Sequence, residues 1–141
     1  MTANELKAHI AEGALDAYAH LYPDLAAQAK RYTDAIDAFC ALYGGDRDIR
    51  LFSVPGRSEI SGNHTDHNHG RVLAGAIDRD IIAVAAKNAD GVVRIKSEGY
   101  PEDTVRIAET GDPAAFKAFS SCALLAGTCR GFADRGYAVG G

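Results

Sequence analysis

The residues best suited to chemistry lie in one short stretch, Val54 to Gly70, which reads V-P-G-R-S-E-I-S-G-N-H-T-D-H-N-H-G. It contains three of the five histidines in the chain, between positions 64 and 69. Arg57 and Glu59 add a cation and a carboxylate, and glycines at positions 56, 62 and 70 permit positive φ angles and close backbone approach. Hydrogen-bonding side chains gathered on a loop after a strand are typical of a site for a polar small molecule.

A metal site is the alternative that these residue types allow. His64, Asp66, His67 and His69 have the spacing H-x-D-H-x-H, and all four are of metal-ligand type. Neighbouring residues on one loop rarely converge on a tetrahedral ion without ligands from elsewhere. The sequence shows no second cluster of cysteines, histidines or carboxylates, so we expect no metal ligands here and interpret His67 and His69 as surface or local structure.

The elements before this stretch are predicted to be two helices and a strand. Thr2 and Glu5 are spaced as a capping box, and apolar residues at steps of three or four predict a first helix that ends before Pro23. Asp24 marks the start of a second helix, which the glycine pair at 44–45 would end. Residues 49–54 are predicted to form a strand that leads into the loop.

Hairpins and a last helix are predicted after the stretch. Apolar runs at 72–77, 81–86 and 92–97 are separated by Asp78-Arg79 and by residues 88–91, and residues 104–108 add a strand. Asp112 and Pro113 are placed to begin the last helix, which ends near Gly136. The residues that predict its buried face are Phe119, Cys122, Ala126, Cys129 and Ala133. Together these elements predict an α+β fold, a mixed or antiparallel sheet packed with helices, in one domain over residues 1–141.

Composition excludes several classes of protein. A chain of 141 residues with 47% hydrophobic and 24% charged residues is expected to be globular rather than disordered. Its net charge of -4, without long runs of one sign, argues against a nucleic-acid partner. The charged start and the short longest apolar run, 81–86, argue against export and membrane insertion. Three cysteines without CxxC spacing indicate reduced thiols, and hence the cytoplasm.

Within the stretch the sequence resembles the galactokinases, members of the GHMP kinase superfamily, whose signature reads G-R-x-N-(L or I)-I-G-E-H-x-D-Y. The residues that match it are Gly56, Arg57, Ile60, Gly62, His64 and Asp66. The departures are Glu59 for Asn, Ser61 for Ile, Asn63 for Glu and His67 for Tyr. Because Glu59 and Asn63 hold the signature's amide and carboxylate in exchanged order, we hypothesise that the pair preserves one of each near the sugar.

The resemblance implies ATP-dependent phosphorylation of the anomeric hydroxyl of galactose or a related aldose, and a fold like the N-terminal domain of the GHMP kinases. It implies Arg57 as a catalytic residue, because phosphoryl transfer depends on positioning and on neutralising developing charge. The implied sugar-binding residues are Asn63, His64, Thr65, Asp66 and Glu59. ATP and magnesium are the implied cofactors, with ligands elsewhere.

Two parts of such a kinase have no counterpart in this sequence. They are the glycine- and serine-rich phosphate loop, which reads like G-L-S-S-S-A, and an assignable aspartate that acts on the sugar hydroxyl. We therefore predict that the chain is the N-terminal sugar-binding part of a longer kinase and is inactive alone, with exposed apolar surface that promotes self-association. The same stretch would equally serve a catalytically silent sugar-binding or sensor protein.

Overall fold

The computed structural model describes residues 1–62, 65 and 68–140. Within them the chain is an α+β structure whose helices and strands follow the order α1 (Ala3–Ala11), α2 (Leu25–Tyr43), β1 (Ile49–Ser61), β2 (Leu73–Ala86), β3 (Val92–Lys96), β4 (Glu102–Arg106) and α3 (Ser121–Ala133). The strands form two antiparallel pairs, β1 with β2 and β3 with β4. The predicted α+β class is confirmed.

The chain divides into two compact units, residues 1–86 and residues 87–141. Each unit holds one strand pair: β1 and β2 belong to the first, β3 and β4 to the second. The interpretation of residues 1–141 as one domain stays a prediction. Among the described helices, none combines the length and the apolar composition needed to cross a membrane.

Helix α1 begins as predicted but is shorter. The capping box is present: the Thr2 amide donates to Glu5 Oε2 at 2.8 Å, and the Glu5 amide donates to Thr2 Oγ1 at 3.4 Å. The prediction that this helix continues to Pro23 is wrong, since it ends at Ala11. Gly13 takes a φ of +92°, outside the right-handed helical region, so the regular helix cannot continue through it. The chain goes on through a short 3₁₀ turn, Asp16–Tyr18.

Helix α2 supplies two of the five buried core residues of the first unit. It follows Asp24, whose Oδ1 accepts from the Ala27 amide at 2.9 Å, and it ends before Gly44, as predicted. Its buried side chains are those of Tyr32 and Ile36. They form one apolar cluster with Ala3 and Ile10 of α1 and Ile49 of β1. Burial of these side chains therefore ties both helices to the strand that carries the candidate site.

Strands β1 and β2 are longer than predicted. The prediction of a loop from Pro55 onward is wrong, because β1 continues to Ser61 and pairs there with Leu73. The predicted break at Asp78-Arg79 is also wrong. Regular pairing ends at Pro55 opposite Asp80 and resumes with residue 57 opposite residue 76, so residues 77–79 oppose Gly56 alone. The polar pair thus lies in an irregularity of one continuous strand rather than in a turn.

Strands β3 and β4 lie close to their predicted positions. Residues 92–97 were predicted and Val92–Lys96 are found, while residues 104–108 were predicted and Glu102–Arg106 are found. Val92 and Val105 are buried, and they lie on opposite strands of the pair. Because β-branched side chains pack well on a pleated surface, these two valines anchor the second unit.

Helix α3 begins later than predicted. Asp112 caps only a 3₁₀ turn, Pro113–Ala115, and the helix starts after Ser120, whose Oγ accepts from the Ala123 amide at 3.1 Å. It ends at Ala133 rather than near Gly136.

The predicted buried face of α3 is only partly correct. Ala126 is buried, and Cys122 and Cys129 are half-buried free thiols. Phe119 and Ala133 are exposed. Phe119 precedes the helix with a φ of +60°, so helical spacing does not apply to it.

Candidate functional site

Arg57 and Glu59 lie on β1, beyond the point where its pairing with β2 shifts. Residues two apart on a strand share a face. The Arg57 Nη2 donates to Glu59 Oε1 at 3.1 Å, and the side chains are 68% and 18% exposed. The carboxylate therefore lies low against the strand pair while the guanidinium reaches solvent. A guanidinium carries several N–H donors, and this contact leaves others for a polar or anionic ligand.

Thr65 lies in the connection between β1 and β2, and its backbone organises the described part of that turn. Its amide donates to the Gly62 carbonyl at 2.9 Å. Its carbonyl accepts from the Asn68 amide at 3.0 Å and from the Gly70 amide at 2.7 Å. The hydroxyl donates to the Arg71 carbonyl at 3.4 Å, a long and therefore weak bond. The backbone of Thr65 is committed to the turn, so its hydroxyl is the group that can exchange partners with a ligand.

Glycine is required at the two ends of this connection. Gly62 has a φ of +102°, and a Cβ there would lie 2.3 Å from the Arg71 carbonyl oxygen. A Cβ on Gly70 would lie 2.4 Å from Thr65 Cβ. Both distances are far below van der Waals contact. The sequence prediction that these glycines serve positive φ or close backbone approach is confirmed at both positions.

The remaining predicted sugar contacts, Asn63, His64 and Asp66, lie outside the described residues, as does His67. Of the predicted site residues within the described part, Arg57 and Glu59 are in contact with each other, and Thr65 contacts its own turn. The roles of all six stay predictions.

Sequence reasoning missed a polar cluster around Asp80 on β2. Asp80 Oδ2 accepts from the Tyr22 hydroxyl at 2.7 Å and from Ser53 Oγ at 2.6 Å. Asp80 Oδ1 accepts from Arg31 Nη1 at 2.6 Å, and Arg31 Nη2 donates to the Asp80 carbonyl at 2.8 Å. The Asp80 side chain is only 11% exposed. The sequence signal for this cluster was the position of Asp80 directly before the apolar run at 81–86. A carboxylate next to an apolar segment needs hydrogen-bond partners if it is removed from water.

Hydrogen bonding fixes the protonation states in this cluster. Burial raises the pKa of the Asp80 carboxyl, but hydrogen bonds from Ser53, Arg31 and Tyr22 outweigh burial and lower it to about 2. The hydrogen bond with Tyr32, burial and the bond to Asp80 raise the pKa of the Tyr22 hydroxyl to about 12. At neutral pH the Asp80 carboxylate is therefore ionised and the Tyr22 phenol is protonated. In the hydrogen bond between them, Tyr22 is the donor and Asp80 is the acceptor.

The described residues show two features that bear on the cofactors implied by the resemblance. A helix N-terminus can bind phosphate through its free amides. Here Thr2, Asp24 and Ser120 each accept a hydrogen bond from an amide in the first turn of α1, α2 and α3. Among the described residues, no group of three or more histidine, cysteine or carboxylate side chains is placed to hold a metal ion. Each cap satisfies one of the free amides of its helix. The prediction of ATP and magnesium as cofactors stays a prediction.

The strand pair that carries Arg57 and Glu59 coincides with a match to a protein family. The family model described as the galactokinase galactose-binding signature matches residues 37–87, which include β1, β2 and their connection. The chain carries the galactokinase galactose-binding signature. The resemblance to galactokinases predicted from the sequence is thereby confirmed.

Individual galactokinases show the same likeness. The galactokinase of Bacillus subtilis is 31% identical over 101 residues, which cover 72% of this chain and 26% of that protein. Those of Candida parapsilosis and Streptomyces coelicolor are 34% and 31% identical over 92 and 94 residues. These matches cover 62% and 64% of this chain, and 18% and 24% of the two relatives. The chain therefore spans about a quarter or less of these three galactokinases. The prediction that it is an N-terminal part stays a prediction. No solved structure matches it significantly.

Proposed function

We propose that this chain is the sugar-binding part of a galactose kinase, which phosphorylates the anomeric hydroxyl of galactose or a related aldose at the expense of ATP. The observation that carries the proposal is the galactose-binding signature over residues 37–87. The Arg57–Glu59 pair supports it, because it presents an oriented, solvent-facing cation on the strand at the centre of that signature.

In this proposal Arg57 is the catalytic residue. Phosphoryl transfer needs positioning and stabilisation of negative charge more than covalent chemistry from the protein. A guanidinium held by Glu59 meets that need without having to be ordered when the sugar binds. ATP would supply the phosphoryl group and magnesium would offset its charge, and residues outside this chain would hold both.

The proposed sugar contacts are Asn63, His64, Thr65, Asp66 and Glu59. Amide, imidazole, hydroxyl and carboxylate groups can together donate to and accept from the hydroxyls of a sugar. Thr65 contributes a hydroxyl whose present bond is weak, and Glu59 contributes a carboxylate already engaged by Arg57.

We further propose that the protein works in the cytoplasm on small molecules, without a nucleic-acid or membrane partner. Its three unpaired, half-buried thiols suit a reducing compartment. Its net charge of -4 does not favour binding to polyanions.

A catalytically silent sugar-binding or sensor protein is the second candidate. One observation favours it: Asn63 stands where the galactokinase signature has glutamate, so a charge-assisted contact with the sugar is replaced by a neutral one.

Two measurements test the proposal, both made on the longer kinase of which this chain is proposed to be the sugar-binding part, because the 141 residues alone are predicted to be inactive. Calorimetric titration with galactose should show binding, and coupled detection of ADP should show turnover with galactose and ATP. Arg57→Ala should lower turnover by about a hundredfold or more and change galactose affinity little, as expected of a preorganised charge stabiliser. Arg50→Ala is the matched control, an exposed arginine on the same strand, and should change neither.

The outcomes separate the candidates. Binding without turnover would support the silent sugar-binding protein, and absence of galactose binding would overturn both candidates. Sustained ADP release by the 141 residues alone would show that the phosphate site lies within them, against the proposal.

A further inference from the structure

Asp80 lies where the pairing of β1 with β2 changes register. Pairing is regular from Ile49 opposite Ala86 to Pro55 opposite Asp80, and it resumes with Arg57 opposite Ala76. A second shift follows between Glu59 and Ser61. Asp80 therefore closes the regular part of β2, and Arg57 opens the part of β1 beyond the shift. We call that part, residues 57–61 with residues 73–76, the signature arm.

Both the side chain and the backbone of Asp80 are held. Two hydrogen bonds come from Arg31 of α2, one from Tyr22 in the segment before α2 and one from Ser53 of β1. They connect β2 to a helix that is part of the apolar core. A well-satisfied polar cluster of this kind specifies geometry, because a displacement would leave the Asp80 carboxylate, only 11% exposed, without some of its hydrogen bonds.

The signature arm has little packing of its own. Ile60 and Leu73, the large apolar residues in it, are both exposed, as is Arg57. The core of the first unit draws on Ile49, Leu51, Ile82 and Val84, all on the regular side of the shift. A slip of one residue between the strands would turn the arm side chains of one strand to the opposite face relative to those of the other strand. Which residues of β2 lie opposite Arg57 and Glu59 thus depends on how the two strands are fixed at the shift.

We propose that Asp80 is a positioning residue for the sugar site: by anchoring β2 to α2 at the register shift, it sets the register of the arm that carries Arg57 and Glu59. This inference rests on the proposed function. It adds Asp80, which lies outside the polar loop of the signature, to the residues that serve that function. The hydrogen bonds found for Asp80 in the described part of the chain go to Tyr22, Arg31 and Ser53, not to Arg57 or Glu59.

The test compares Asp80→Asn with Asp34→Asn in the protein. Asp34 pairs with Lys30 at 2.6 Å on the exposed surface of α2, so the control removes a carboxylate charge from the same region without touching the cluster. Asp80→Asn should weaken galactose binding about tenfold, since a misplacement of about 1 Å can cost up to about a hundredfold. It should also speed amide hydrogen exchange in residues 57–61 and 73–76, measured without sugar. Asp34→Asn should change neither.

A merely stabilising role predicts a different pattern. In that case Asp80→Asn would lower the unfolding midpoint, but the folded protein would keep its galactose affinity and its slow exchange in the arm. All measurements are therefore made well below the midpoint of each variant. Asp80→Glu, which keeps a carboxylate for Arg31, should retain more affinity than Asp80→Asn. Ser53→Ala removes only the bond to β1 and gives a milder variant should Asp80→Asn fail to fold; it should raise exchange in the arm and weaken binding by a smaller factor.

The two proposals fail in different ways. If the unaltered protein does not bind galactose, the proposed function is wrong, while exchange in the arm still decides whether Asp80 holds it. If the protein binds galactose and the folded variants at positions 80 and 53 keep both affinity and slow exchange, the positioning role is wrong and the proposed function stands.

Discussion

Glu59 determines how the guanidinium of Arg57 is presented. The Glu59 side chain is 18% exposed, and its carboxylate accepts a hydrogen bond from the guanidinium at 3.1 Å. This contact holds the guanidinium in one orientation. The sequence predicted both residues as site residues but not their contact, because that contact needs strand geometry where a loop was predicted. The hypothesis that Glu59 and Asn63 are an exchanged amide and carboxylate stays a prediction.

In the proposed longer kinase, we expect Glu59→Gln to lower turnover with galactose about fivefold. A hydrogen bond to a charged acceptor is worth about 1 kcal/mol more than one to a neutral acceptor, which corresponds to about that factor. Steady-state kinetics at saturating ATP would measure it. Glu98→Gln, an exposed glutamate between β3 and β4, is the control and should leave turnover unchanged. Faster turnover in Glu59→Gln would show instead that the carboxylate restrains Arg57.

Asp80 should make the stability of the first unit sensitive to acid. Its pKa is about 2 when folded, against an ordinary value of 3.8, so the unfolded chain binds the proton more readily. The stabilisation is therefore complete above the ordinary value and is lost as the pH falls toward 2. In urea unfolding, Asp80→Asn should cost more stability at about pH 7 than at about pH 2.5. An equal loss at both would contradict the depressed pKa.

Helix boundaries in this chain were predictable where one side chain satisfies the backbone. The capping box at Thr2, the cap at Asp24 and the stop at Gly44 are local signals, and all three are confirmed. The continuous β2 was not predictable, because Asp78-Arg79 has the composition of a turn and only the partner strand makes it an irregularity. The prediction that Phe119 lies on the buried face of α3 was wrong for a similar reason. Helical spacing does not show that Phe119 precedes the helix with a left-handed backbone conformation.

The β1–β2 connection should tolerate no side chain at position 62. We expect Gly62→Ala to cost about 2 to 4 kcal/mol, because it combines a positive φ with a severe clash against the Arg71 carbonyl. Gly44 has a φ of +86° but open space around it, so Gly44→Ala should lower the free energy of unfolding by about 1 kcal/mol. Gly75 has neither a positive φ nor a close neighbour, so Gly75→Ala should change the free energy of unfolding by no more than about 0.5 kcal/mol. Urea unfolding followed by circular dichroism measures all three, and equal losses for the first two would mean that the clash relaxes.

The strand pair of the first unit is apolar on both faces. Leu51, Ile82 and Val84 pack against the core, while Val54 and Ile81, paired across the strands, are 63% and 77% exposed. A sheet with one face in water usually alternates apolar and polar residues. This strand pair does not, so its outer face has the composition of a covered surface. The predicted self-association stays a prediction, and this face is where we expect it.

Replacing the two outer residues should reduce association. We expect the 141-residue chain to sediment as more than a monomer at high concentration and to bind a hydrophobic dye. Val54→Thr with Ile81→Thr should lower both signals, because threonine keeps a β-branched shape suited to strands while adding a hydroxyl. Leu42→Gln, at an exposed leucine of α2, is the control. A monomeric chain without dye binding, or an equal effect of the control, would contradict this expectation.

The division of the chain at residue 86 has a practical side for labelling the protein. The family match ends at residue 87, and residues 87–88 belong to neither helix nor strand, with Lys87 exposed. The core of the first unit is built entirely from residues before that point. Exposed backbone outside regular elements is where inserted sequence is best tolerated. A fluorescent reporter or an affinity tag inserted after residue 87 would interrupt no helix, no strand and no residue of the signature arm. This position is therefore suited to labelling the protein for detection in cells.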